Sequence, residues 1–70
     1  MRVNLYTAED GELLATINTP TSAPPRVGEF FRIQQAPRRV KSVTWVVRDG
    51  VLIAVDVMLR KVTPADEAER

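Results

Sequence analysis

Three groups of residues are of the kinds that do chemistry. Asp10 and Glu12 flank Gly11, and two carboxylates that close can begin a cation site. Asp56 interrupts an otherwise apolar run, residues 51–59, in the last expected strand. A carboxylate buried there would have a raised pKa and could act as a general acid or base. Arg26, Arg32, Arg38, Arg39 and Lys41 crowd the middle of the chain beside Phe30, Phe31 and Trp45. Cations with exposed aromatics on a small sheet bind single-stranded nucleic acid, through phosphate contacts and base stacking.

Each group also has a plainer reading. Asp10 and Gly11 are turn residues, and no further acid lies close to Asp10 and Glu12 in sequence, so no metal is expected. Asp56 pairs most cheaply with Lys41 across a hairpin. Phe31 and Trp45 are the largest side chains available to a small core, and arginines guard exposed strand edges against aggregation.

The absences narrow the chemistry further. The chain has no cysteine and no histidine. That removes disulfides, thiolate metal sites and thiol nucleophiles, together with the usual base at neutral pH. A serine or threonine nucleophile would need a lysine or carboxylate base, and nothing is spaced to supply one. Gly11, Gly28 and Gly50 are isolated turn glycines, not a phosphate-cradling loop. No catalytic residue and no cofactor is expected, and the chain reads as a non-enzyme.

Seventy residues make one small domain, and 44% hydrophobic with 27% charged residues is globular rather than disordered composition. A chain this short has a thin core. The net charge is only +1, low for a nucleic-acid-binding domain. It is unevenly spread, however: −2 over residues 1–25, +5 over 26–48 and −2 over 49–70. Met1-Arg2-Val3-Asn4-Leu5 begins a strand rather than a charged segment with an apolar stretch behind it, so no signal peptide is expected. No apolar run approaches the length of a membrane span. A cytoplasmic protein is the expectation.

The elements that must position these residues are strands. Residues 2–7 and 12–19 alternate around Asp10-Gly11, which predicts a hairpin. Pro20, Pro24 and Pro25 make residues 20–26 an extended connector. Residues 27–33 start a third strand and Gln34-Gln35-Ala36-Pro37 is a turn. Residues 38–48 form a long strand rich in Val and Trp. Asp49-Gly50 is a two-residue turn into a last strand, 51–62.

In that hairpin Val40 and Val43 differ in parity, so either a bulge lies near Lys41-Ser42 or both faces are buried. With no bulge, Trp45 faces Ala54 and Val43 faces Asp56. Val40, Thr44, Val46, Ile53, Val55, Val57 and Leu59 then share one face. Val43, Trp45, Val47, Leu52, Ala54 and Met58 share the other. Two apolar faces are more than a one-sided sheet needs. The spare one closes a barrel, packs on another subunit or binds a ligand. Thr63-Pro64-Ala65-Asp66 is a helix start with only one turn of chain behind it.

Val27-Gly28-Glu29-x-Phe31-x-Ile33, a short turn, Val40-x-x-Val43-x-Trp45, then Asp-Gly and a closing strand resembles small SH3-like β-barrels. Short bacterial and bacteriophage open reading frames of uncharacterised function often look like this. The resemblance covers roughly residues 27–62 and implies a strongly bent barrel with a binding role. It carries over no functional residue.

The expected fold is all-β, about five antiparallel strands in a partly open barrel or roll over residues 1–62, with an acidic tail at 63–70. Its expected core is Val3, Leu5, Leu13, Ile17, Phe31, Ile33, Val43, Trp45, Val46, Ile53, Val55 and Val57. The expected function is an interaction module, homodimeric through Val47, Leu52 and Met58. The alternative is a nucleic-acid-binding barrel that places Arg26, Arg32, Arg38, Arg39 and Lys41 on phosphates.

Overall fold

The computed structural model describes residues 1–19 and 24–69. Most of the connector's expected proline-rich stretch, residues 20–23, lies outside them. The strands are β1 (Arg2–Thr7), β2 (Leu13–Asn18), β3 (Phe30–Ile33), β4 (Ala36–Arg48) and β5 (Val51–Lys61), followed by a short helix α1 (Pro64–Ala68). They form one sheet in the order β2-β1-β5-β4-β3, curled into a half-barrel.

The sheet is mixed rather than wholly antiparallel. β1 lies parallel to β5, while the three hairpin pairs are antiparallel. Hydrophobic matching sets that parallel register. Val3 stands beside Val55, Leu5 beside Val57 and Thr7 beside Leu59, and all six side chains are buried. With Val40 the five apolar ones form the core inside the curl, and Met1, Leu14, Ala15, Phe31, Ile33 and Val43 pack against it.

Three bulges decide which residues reach that core. In the first hairpin Leu5 faces Ala15 but Tyr6 faces Leu13, so Leu14 is the extra residue. It turns inward, while Leu13 and Ile17 are exposed, against expectation. In the long hairpin Val40 faces Leu59 and Ser42 faces Met58, so Lys41 is extra. Of the two alternatives the parity of Val40 and Val43 left open, this is the bulge, and it puts both on one face.

The third bulge was not legible. Val46 faces Ala54 and Val47 faces Leu52, so Ile53 is extra. It moves the pairing beyond it by one residue, so that Trp45 faces Val55 and Val43 faces Val57. The expected pairs Trp45–Ala54 and Val43–Asp56 are therefore replaced. Trp45 and Ile53, expected in the core, are exposed, whereas Val40, Ala54 and Leu59 are buried.

The turns follow local chemistry. Asp49 and Gly50 both have positive φ, 53° and 75°, as a two-residue hairpin loop requires. Gln34 and Gln35 do the same job between β3 and β4 with φ of 53° and 64°, a conformation that costs a residue with a Cβ about 1 kcal/mol. Replacing Gln34-Gln35 by Asn-Gly should raise stability by about 1 kcal/mol. A urea titration that gives an unchanged or lower midpoint would refute this account of the turn.

Candidate interaction surface

β4 and β5 outrun their neighbours. β1 accompanies β5 only from Val55 to Leu59, and β3 accompanies β4 only from Ala36 to Arg39. Beyond these limits the hairpin continues as a two-stranded arm over residues 46–54, in a molecule 42 Å long and 18 Å thick. Cross-strand partners share a face. The inner face therefore runs from Val40, Leu59, Val57 and Val55 in the core through Val43 to Trp45, Val47 and Leu52 at the tip. Exposure rises along it from 2% at Val40 to 53% at Trp45 and 59% at Val47, with Leu52 at 38%. Val51 and Ile53 are also exposed. An apolar stripe that is core at one end is bare at the other.

Of the residues expected at an interface, Val47 and Leu52 face each other across this arm. Met58 does not join them. The Ile53 bulge places it on the opposite face, half-buried between Ser42 on β4 and Tyr6 on β1.

The five basic residues do not form one patch. Arg26, Arg32 and Lys41 are exposed, while Arg38 and Arg39 are half-buried on opposite faces of β4. Arg39 lies over the Phe30 ring, 4.9 Å from its centre. It donates to Gly28 O at 2.9 Å and forms ion pairs of 2.6 Å with Asp66 and Glu69. Arg60 reaches Asp66 at 2.6 and 2.8 Å.

Asp66 is the hub of that cluster and was expected only as an acid in the first helical turn. Its carboxylate also accepts from Thr63 N–H and Thr63 Oγ1, and its N–H donates to Thr63 Oγ1, which completes a capping box. Arg60, the Thr63 N–H and Arg39 hold the carboxyl well below the ordinary range, against the opposing effect of burial. The helical turn is thereby clamped to the outer face of the sheet.

Asp56 and Asp10 are hydrogen-bonded as well. Asp56 accepts from Asn4 Nδ2 at 2.9 Å, and Asn4 Oδ1 in turn accepts from Thr16 Oγ1 at 2.9 Å. Among the described residues no ion pair joins Asp56 to Lys41. The expected pairing fails because Lys41 is the bulged residue and Thr44 takes the place opposite Asp56. Asp10 is bound by the Thr7 hydroxyl and by Glu12 N–H, which together lower its pKa. Its carboxylate builds the turn, and among the described residues no acidic cluster suits a metal.

An open cavity of about 360 Å³ lies at the other end of the inner face, lined by Thr7, Glu9, Asp10, Glu12, Leu14, Gln34, Arg38 and Lys61. Arg38 Nε and Nη1 are buried there with no hydrogen-bond partner among the described residues. Two cations and three acids face one another across it, and the Thr7 hydroxyl donates to the Asp10 carboxylate in its wall. Among the described residues no helix is long and apolar enough to cross a membrane.

Compared with known proteins, the chain matches no family model, no curated protein and no solved structure.

Proposed function

We propose that this chain is a non-enzymatic interaction module whose partner is a second copy of itself, bound through the β4–β5 arm. One observation carries the reading: the inner apolar stripe leaves the core and continues, uncovered, through Trp45, Val47 and Leu52. A two-stranded ribbon alone is marginally stable in water, and contiguous exposed apolar surface marks interaction sites. Trp45 suits the centre of such a contact, since tryptophan is enriched among the residues that dominate binding energy. The likeness to SH3-like barrels of bacterial or bacteriophage origin, and a cytoplasmic setting, belong to the same proposal.

The solution mass, followed with concentration, tests it. The wild-type chain should approach twice its own mass, and Val47→Lys and Trp45→Lys should each give a folded monomer with an unchanged circular-dichroism spectrum. A wild type that stays monomeric near millimolar concentration would end the reading.

Nucleic-acid binding is the second reading, supported by the exposure of Arg26, Arg32 and Lys41. Three phosphate contacts would give a slope of log affinity against log salt of about −2 to −3. Single-stranded oligonucleotides that bind with no salt dependence, or fail to bind, would exclude it.

A further inference from the structure

We propose that the second copy joins the sheet through the outer edge of β4, antiparallel and centred on Trp45. This rests on the self-association reading and specifies its geometry.

β4 has an outer neighbour only in its first third. β3 pairs with it as far as Arg39, and the N–H and C=O of Val40 are taken by Glu29 O and Gly28 N at 2.9 Å. Beyond Val40, residues 41–48 have no strand on that side among the described residues. A long, unpaired apolar edge is a template for another strand unless lysine, proline or a bulge blunts it. Here the lysine and the bulge coincide at Lys41, the base of the edge. Ser42 to Val47 carries no charge, proline or glycine. Among the described residues β2 has no strand on its outer edge either, but it is only six residues long and carries the Leu14 bulge near its start.

Symmetry restricts the register. In a two-fold antiparallel pair the axis passes through a point where a residue faces its own copy, because the contact is isologous. Centring on Thr44 would set Arg48 against Val40, whose outward groups are occupied. Centring on Val46 would shorten the paired stretch to residues 44–48. Centring on Trp45 uses the whole free edge: Val43 meets Val47 of the partner, Thr44 meets Val46, and Trp45 meets Trp45. At each end Lys41 then stands opposite Asp49 of the partner, so opposite charges close the register on both sides. The two inner faces become continuous, and the exposed Trp45, Val47 and Leu52 of both copies merge into one apolar surface.

The chain has no cysteine, so introduced thiols report the register directly. Directly opposed residues have Cβ atoms about 4.5–5.5 Å apart, close to disulfide reach. Val43→Cys and Val47→Cys proteins, mixed under a mild added oxidant, should cross-link to each other. Each alone should not, since two copies of Val43 lie more than about 13 Å apart in this register. Trp45→Cys should cross-link to itself. Lys41→Glu should weaken the dimer several-fold, and adding Asp49→Lys should restore it. A dimeric mass without the Val43–Val47 cross-link overturns the β4-edge geometry and leaves self-association standing. A monomeric wild type overturns both. Because the mixed pair retains Trp45, loss of association in Trp45→Cys does not blunt the test.

Discussion

Leu59→Ala should lower the stability of this domain by about 3 kcal/mol, the usual cost of truncating a fully buried leucine. Leu59 lies on β5, the central strand, between Thr7 on β1 and Val40 on β4, with no exposed surface. Its carbonyl also accepts from Ala8 N–H at 2.7 Å, which anchors the first turn to the sheet. The neighbours that would have to collapse into the space left by the side chain are β-branched residues held by hydrogen bonds on both sides, so the cavity stays open. A domain of 70 residues has only about 4–10 kcal/mol in total, and the variant should sit near the edge of folding. Leu13→Ala is the control. Leu13 is exposed on an edge strand, and its loss should change stability by no more than about 0.5 kcal/mol. Urea unfolding of both variants measures the difference. Equal midpoints would mean that the core does not centre on β5.

Asp66→Asn should destabilise the protein at neutral pH and flatten its loss of stability in acid. The Asp66 carboxyl is held below its ordinary value of 3.8 by Arg60, the Thr63 N–H and Arg39. A carboxylate depressed in the native state contributes fully above its unfolded pKa, and the contribution drains away as pH falls through that value towards the folded one. Wild-type stability should therefore fall from about pH 5 downwards, as the unfolded chain takes up a proton that the native site refuses. Asparagine keeps the shape and one acceptor oxygen, so the helical turn can remain capped while the charge is lost. Asp10, also lowered, by Thr7 and Glu12, supplies the slope that persists in the variant. Arg39 and Arg60 are partly exposed, so added salt should reduce the effect without abolishing it. Midpoints recorded between about pH 2 and 7 decide the matter, and parallel profiles for wild type and Asp66→Asn would remove Asp66 as the acid-sensitive group.

Most strands and turns were legible because their signals are local, although β3 begins only at Phe30 and β4 already at Ala36, inside the expected turn Gln34-Gln35-Ala36-Pro37. Asp49-Gly50 fixes a hairpin by backbone conformation alone, and Thr63-Pro64-Ala65-Asp66 writes a helix start into four residues. The inner face was misread where a bulge intervened. Strict alternation puts Leu13 inside and Leu14 outside, and it puts Trp45 opposite Ala54. One extra residue at Leu14 and another at Ile53 reverse both. Of the three bulges, only the one at Lys41 left a trace, in the mismatched parity of Val40 and Val43.

By itself, then, the sequence determined five strands, one helical turn, an enzyme-poor set of side chains and an excess of apolar strand surface. Tertiary structure alone decided where that excess goes. Whether β1 meets β5 or another strand is a competition among non-local pairings, settled by stacking Val3, Leu5 and Thr7 on Val55, Val57 and Leu59. That pairing ends at Val55, which leaves the rest of the hairpin as an arm. The gathering of Arg39, Arg60 and Asp66 has the same origin, since residues up to 27 positions apart meet only when β4, β5 and the helical turn are packed. Local chemistry chooses the elements, and burial shared between distant ones chooses their neighbours.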